Sequence, residues 1–441
     1  MDLALIEFAP DVLNKAFALD KTMFQAPLAL AHYYLETGQG RLALPYFELA
    51  LEAAPPKSKS GIRLERAMCF LSIGNKEEAE ADFERVMRDP KLRIPALARV
   101  VLLKKDDQDS DSAEEIRLEL QRSDLSVKER SWLLLSLGCL HENGGDFDGA
   151  FVNFERSRRL LDSKFDAKRL LALVDDAETV MTREIFDRAS LVCHISEKPI
   201  FVVGLPRSGT TMTEQIIAAH SQTEGVGELR RMMDMAQQFT SPDGTRRLLE
   251  KMLESGPERW KNIPQMYLNL LDVLAPNVKR VVDKMPHNFL HLGFIHMCFP
   301  NAKIIHCKLQ PLDGFISSFQ NHLRSSHDYS CDQVAYGEYY LNYLRLMNHW
   351  QAMMPNSTYD LQYETLTANP EAEVRNMLSF PCLPWEEECL KFNERESTVK
   401  TLSNLQVRNS INTKSVGRWW NCKKHLGPII GVLEKAGISV Q

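Results

Sequence analysis

The first half of the chain reads as helices, and three of its stretches share one arrangement of apolar and polar positions: YYLETGQGRLALPYFELAL, FLSIGNKEEAEADFERVM and LHENGGDFDGAFVNFERSR. In each, a Gly stands nine residues before a Phe: Gly38 and Phe47, Gly74 and Phe83, Gly145 and Phe154. The Phe spacings of 36 and 71 residues are about one and two periods of a helix–turn–helix repeat. The Gly falls where a tight turn needs positive φ. The Ala and Phe that follow (Ala43, Ala79 and Ala150 among them) are placed to pack on the first helix.

This period fits a tetratricopeptide-like α-solenoid over residues 1–195. The absent unit, at about 93–125, has an apolar first helix (IPALARVVLL) and a polar loop, KKDDQDSDS, in place of its turn. Pro55, Pro56 and Pro90 fall between units, where helices stop. A non-repeating helical bundle is the alternative. Such repeats present surfaces to a protein partner or to a second copy of the chain, so they assign no activity.

The pattern changes near residue 195. KPIFVVG (198–204) is a short apolar, β-branched run that reads as a buried parallel strand. It leads into GLPRSGTT (204–211) and then TMTEQIIAAH, a helix with Met212, Ile216, Ile217 and Ala219 on its apolar side. Strand, glycine-bounded loop and helix form a phosphate cradle of the P-loop type. The Lys of the triphosphatase signature is replaced by Thr210, and the loop's cation is Arg207. That suits a ligand with fewer charges than a triphosphate. Further apolar runs at 280–282, 302–307 and 357–362 predict more strands of a parallel sheet.

Composition narrows the class. Lys and Arg number 53 and Asp and Glu 59, for a net charge of −6, which divides as −7 over residues 1–195 and +1 over 196–441. Neither half is a basic nucleic-acid arm. No apolar run is long enough to span a bilayer, and the acidic start MDLALIEFAP lacks the pattern of a secretory signal. Nine cysteines without a CxxC read as reduced thiols, and the expected location is the cytoplasm.

The blocks FVVGLPRSGTTMTEQIIAAHS, GVGEL, DKMPHNFLHLGFIHMCFPNAKIIHC, PLDGFISSF, YETLTANPEAEVRNML, SNLQVR and SVGRW…KHLGPI resemble, in order, the tetratricopeptide-repeat sulfotransferases related to tyrosylprotein sulfotransferases. The resemblance implies a sulfotransferase domain over 196–441. It implies transfer of a sulfuryl group from 3′-phosphoadenosine 5′-phosphosulfate to a hydroxyl on a protein tyrosine, a sugar or a small molecule, with no metal. In-line displacement of this kind needs charge stabilisation at the leaving phosphate and a base for the attacking hydroxyl.

By that resemblance Arg207, Ser208, Gly209, Thr210 and Thr211 wrap the 5′-phosphosulfate, Lys284 assists the leaving group, and Glu228 is the general base. A Glu suits this task where partial burial raises its pKa. Ser403 reaches the sulfuryl end. Ser317 meets the 3′-phosphate, Tyr363 lies near the nucleotide, and Ser415, Arg418 and Trp419 close over it. Residue by residue, other readings stand beside these. Lys284 fits a surface lysine paired with Asp283. Glu228 fits a helix-start carboxylate. His220 is a second base candidate or a helix C-cap.

The chain departs from the family most sharply at Leu309, where the family has an Arg eight residues before the Ser, and at Gln310, where it has an Asp. Lys308 is the adjacent cation. Asn409, Ser410 and Lys414 also differ from the closing-loop pattern. His291 and His296 read as packed helix residues, Met232, Met233 and Met235 as fillers, and the acidic run 106–115 as a solvated loop. Two other functions stay open: a repeat scaffold with a degenerate nucleotide-binding domain, and a kinase, against which the absent loop Lys argues.

Overall fold

The computed structural model describes residues 3–104, 110–161, 165–189, 193–239, 257–321, 325–401 and 403–440. By compactness the chain forms two units. One joins residues 1–163 to 319–322 and 396–408; the other holds 164–318, 323–395 and 409–441. The division therefore differs from a single cut at 195. Helices Ala167–Val180 and Arg183–Ala189 go with the second unit. Arg345 of helix Gln333–Met353 binds Asp175 at 2.8 Å and also Glu178, and Phe165 meets the rings of Tyr329 and Tyr339 edge-on.

The first unit is helical. Its three expected hairpins are Gln25–Glu36 with Gly40–Ala53, Pro56–Ile73 with Lys76–Val86, and Val127–Asn143 with Phe147–Leu160. Gly38, Gly74 and Gly145 turn the chain with φ of 76°, 92° and 78°, a region that costs a side-chain-bearing residue. Phe47, Phe83 and Phe154 are buried, as are Ala43, Ala79 and Ala150. The unit between them comprises helices Arg93–Leu103 and Ser110–Leu120. Residues 110–115 of the acidic run are thus helical, and 105–109 lie outside the described residues. Asp82, buried in the second hairpin, takes a two-pronged bond from Arg66 at 2.7 and 2.8 Å.

Two late segments complete this unit. Arg158 is buried and donates to the carbonyls of Phe319 and Asn321 at 2.9 and 2.5 Å. Residues 396–408 lie along the first two hairpins. The Gly40 amide donates to Thr398 Oγ1 at 2.9 Å, the Val399 amide to the Ser72 carbonyl at 2.7 Å, and Arg408 Nη2 to the same carbonyl at 3.0 Å.

The second unit is built on a parallel sheet of β1 (Pro199–Gly204), β2 (Thr223–Gly225), β3 (Arg280–Lys284), β4 (Lys303–Lys308) and β5 (Thr358–Gln362), in the order β2-β3-β1-β4-β5. Every residue of β1 and β3 is buried, as apolar runs covered on both faces require. Four strands follow the predicted runs; β2 has too few residues to show a pattern. The strand order reverses around β1, so the chain opens a crevice at the carboxyl ends of β1 and its neighbours. Among the described residues no helix is long and apolar enough to cross a membrane.

Gly138 lies against Phe154 so closely that a Cβ would come within 2.4 Å of the ring, whereas a Cβ on Gly61 meets nothing within 4 Å. Gly138→Ala should cost about 1–3 kcal/mol by overpacking. Gly61→Ala, in a helix interior, should gain ~0.5–1 kcal/mol. Denaturant midpoints followed by far-ultraviolet circular dichroism read both.

Candidate active site

β1 delivers its last residue into the loop 204–209, and helix Thr210–Ala218 starts directly after it. Gly209, at the helix N-cap, has φ 89°, and a Cβ there would come 2.6 Å from the Tyr363 ring. Only glycine satisfies both conditions. No side chain caps this helix at its N-terminus. Arg207 holds φ 73°, an uncommon conformation for a long side chain and one that concentrates at functional sites. Ser208 in the loop, and Thr210 and Thr211 at the start of the helix, are buried. The Ser208 hydroxyl donates to the Leu205 carbonyl at 2.7 Å, so it braces the loop.

Arg207 Nε donates to Ser317 Oγ at 3.1 Å. Burial, and then the guanidinium of Arg418, push the Arg207 pKa down to about 10. Two arginines and Ser317 thus converge, although they lie far apart in sequence. Tyr363, at the start of the helix after β5, lies beside Ser415 of the closing segment. That segment is fixed by the buried Asp313, which accepts from the amides of Gly417 at 2.7 Å and Trp419 at 3.0 Å. Trp419 is buried and stacks on Trp420 at 4.0 Å. It packs, while Trp420 offers an exposed face.

On the other side of the loop, β3 pairs with β1 so that Lys284 lies opposite Val202. The Lys284 side chain is completely buried, and its Nζ donates to Glu228 Oε1 at 2.7 Å. It is neither a surface lysine nor a partner of Asp283. Glu228 is 42% exposed, so its carboxylate is ion-paired at the surface and not sequestered as the sequence suggested. A second carboxylate, Glu214 on the loop helix, stands 4.0 Å from Lys284 and accepts the Gly227 amide at 2.8 Å. Burial raises the Glu214 pKa, opposed by Lys284. Asp283, fully buried, accepts from the Tyr267 hydroxyl at 2.6 Å. Burial pushes it up to about 7, against the lowering effects of that hydroxyl and the Leu229 amide.

His220 is occupied elsewhere. Its ring contacts the Pro384 carbonyl through Nε2 at 2.9 Å and accepts the Gln222 amide at Nδ1. Ser403 belongs to the helical unit, within 396–408, where its carbonyl accepts the Val407 amide. His291 and His296 are pushed down to about 4 by burial, as packed helix residues are. Among the described residues no three His, Cys, Asp or Glu gather as metal ligands.

A cavity of about 440 Å³ adjoins the loop. Leu309, Tyr336, Tyr340, Leu344 and Trp420 give it an apolar wall, and Glu364 a polar edge. Lys308 is turned to Asp360 on β5, 3.2 Å away, so it does not replace the arginine that Leu309 lacks. Gln310 caps the next helix, its side-chain oxygen accepting the Leu312 and Asp313 amides at 2.7 and 2.9 Å. Sequence reasoning missed Glu214, Asp313 and Trp420 as site residues. The signal for Glu214 was a carboxylate on the otherwise apolar face of the loop helix.

Residues 199–387 match the model of the sulfotransferase family. An uncharacterized protein of Aquifex aeolicus (strain VF5) is 34% identical over 305 residues, covering 67% of this chain and 40% of its own length. Protein-tyrosine sulfotransferase A of Caenorhabditis elegans is 23% identical over 240 residues, covering 50% of this chain and 60% of its own. The chain thus spans about two fifths to three fifths of these relatives. Among solved structures, the sulfotransferase domain of the Synechococcus PCC 7002 olefin synthase aligns at a TM-score of 0.38 and 17% identity, over 56% of this chain and 98% of that one.

Asp283 yields a pH test. Its folded value, about 7, lies above the ordinary 3.8, so folding takes up a proton there. That contribution is complete below pH 3.8 and is lost as the pH rises through about 7. Asp283→Asn keeps a neutral acceptor for Tyr267. It should match the wild type near pH 4 and exceed it above pH 7, by up to ~4 kcal/mol. Denaturant titrations across that range measure the difference.

Proposed function

We propose that the sheet unit transfers a sulfuryl group from 3′-phosphoadenosine 5′-phosphosulfate to a hydroxyl acceptor. The observation that carries this reading is the pair between fully buried Lys284 and Glu228, one strand away from an arginine-bearing loop. In the reaction the acceptor O–H gives its proton to Glu228 and its oxygen forms the new bond to sulfur. The bond from sulfur to the phosphate oxygen breaks, and the nucleotide leaves with the electron pair. Lys284 neutralises that oxygen, and Arg207 with the loop amides holds the 5′-phosphate. No metal is needed for this charge balance.

Ser208, Gly209, Thr210 and Thr211 shape the loop around the 5′ end. Ser317 and Arg418 hold the 3′-phosphate, next to Arg207, with Tyr363, Ser415 and Trp419 fixing the cover. The hairpins, of tetratricopeptide character, orient the acceptor or a partner, or join two copies. The acceptor class follows the tyrosine-modifying relatives only as far as a hydroxyl. Nine cysteines, none in a disulfide, suit a reducing compartment such as the cytoplasm.

Leu309 supports a second reading, a repeat scaffold whose nucleotide site no longer uses this donor. Incubation with radiolabelled donor and, separately, a tyrosine peptide, a sugar and a phenol separates the two. Label transferred to any of them supports the enzyme; donor that neither binds nor reacts supports the scaffold.

Two variants sharpen the test. Glu228→Gln should keep nucleotide affinity and lose roughly 10²–10⁴ in turnover. Leu309→Arg should tighten binding of 3′-phosphoadenosine 5′-phosphate by ~1.5–3 kcal/mol, while Arg207→Ala weakens it by a similar amount, about 1.5–3 kcal/mol. Isothermal titration against the nucleotide with and without its 3′-phosphate reads both. Equal wild-type affinity for the two would show that the 3′-phosphate is not engaged.

A further inference from the structure

Glu214 is the one charged side chain within the buried part of the loop helix, and its two oxygens have different partners. Oε1 accepts the amide of Gly227, the residue before Glu228, at 2.8 Å. Oε2 faces the Lys284 ammonium at 4.0 Å. Lys284 in turn donates its own amide to the Gly227 carbonyl at 3.0 Å. The turn is fitted to this carboxylate: a Cβ on Gly225 would come 3.2 Å from Glu214 Cγ and Oε1. Glu214 is 5% exposed and Lys284 is fully buried, whereas Glu228 is 42% exposed.

The asymmetry has a chemical consequence. A base that accepts a proton loses its charge, so Glu228 must stop compensating Lys284 during the reaction. An ammonium buried without a counter-charge is strongly disfavoured. A second carboxylate already facing the ammonium removes that penalty.

We propose that Glu214 is a positioning residue serving both groups, anchoring the backbone before Glu228 and keeping Lys284 compensated when Glu228 takes up a proton. The proposal rests on the roles given to Glu228 and Lys284 above. Arg395, which also acts on Glu214 and pairs with Glu224 at 2.6 Å, adds positive charge to the same neighbourhood. It helps keep Glu214 ionised.

Two variants in the full chain divide the roles. Glu214→Gln keeps an oxygen for the Gly227 amide and removes the charge. Glu214→Ala removes both. The readouts are hydrogen exchange of residues 223–230, nucleotide affinity by titration, and kcat and KM for release of the desulfated nucleotide with a tyrosine peptide as acceptor. For Glu214→Gln we expect exchange unchanged, nucleotide affinity within about twofold and kcat lower by at least ~10-fold with KM little altered. For Glu214→Ala we expect a similar kcat loss together with faster exchange across 223–230.

Wild-type kcat in Glu214→Gln overturns the charge role, and unchanged exchange in Glu214→Ala overturns the anchor. If the wild-type protein binds the nucleotide but transfers nothing, the reading of Glu228 and Lys284 fails instead. The exchange comparison then still decides the anchor: acceleration in Glu214→Ala upholds it and no change refutes it.

Discussion

A lysine ammonium with no exposure must be met by negative charge, and around Lys284 that requirement organises the sheet unit. Glu228 satisfies it from a turn, Glu214 from the loop helix, and Lys284 itself reaches back through its amide to the carbonyl of Gly227. Three elements distant in sequence are held in one geometry by one cation. The strands beneath supply the rigidity. β1 and β3 are buried throughout and in fixed register, so the ammonium cannot escape to water. The same register sets the distance between the Lys284 pair and the loop after β1.

The other flank of the loop shows the opposite balance. Where Leu309 leaves a wall without a donor, the neighbouring cation is drawn off: Lys308 turns to Asp360, which also contacts the ring of His306 at 2.8 Å. Positive charge is concentrated instead at Arg207 and Arg418, next to Ser317. Burial first, and then the Arg418 guanidinium, depress the Arg207 pKa.

Legibility in the sequence followed the strength of local pattern. Buried parallel strands are continuous apolar runs, so β1, β3, β4 and β5 could be read directly. The hairpins announced themselves through turn glycines and the phenylalanines nine residues on. β2, with three residues, carries no period. Glu214 was hidden because one acid in a helix reads as a solvent-facing position until Lys284 is known to lie beside it. Lys284 itself was legible as a residue at a strand's end, but not its burial. Residues 396–408 make extended and irregular contacts that leave no periodic mark, so their place among the helices could not be foreseen.

That segment has an evolutionary implication. The helical unit takes in residues 319–322 and 396–408, so the chain enters and leaves it more than once. A solenoid appended to an enzyme by gene fusion ordinarily remains a detachable cassette, inherited or lost across one junction. Here the amide of Val399 and the guanidinium of Arg408 share the Ser72 carbonyl, and the Arg408 bond spans 336 residues. No single crossover in the coding sequence exchanges the helical unit intact. Its hairpins and the loops after β5 are therefore bound to diverge together, and substitutions along the first two hairpins should be paced by those in 396–408.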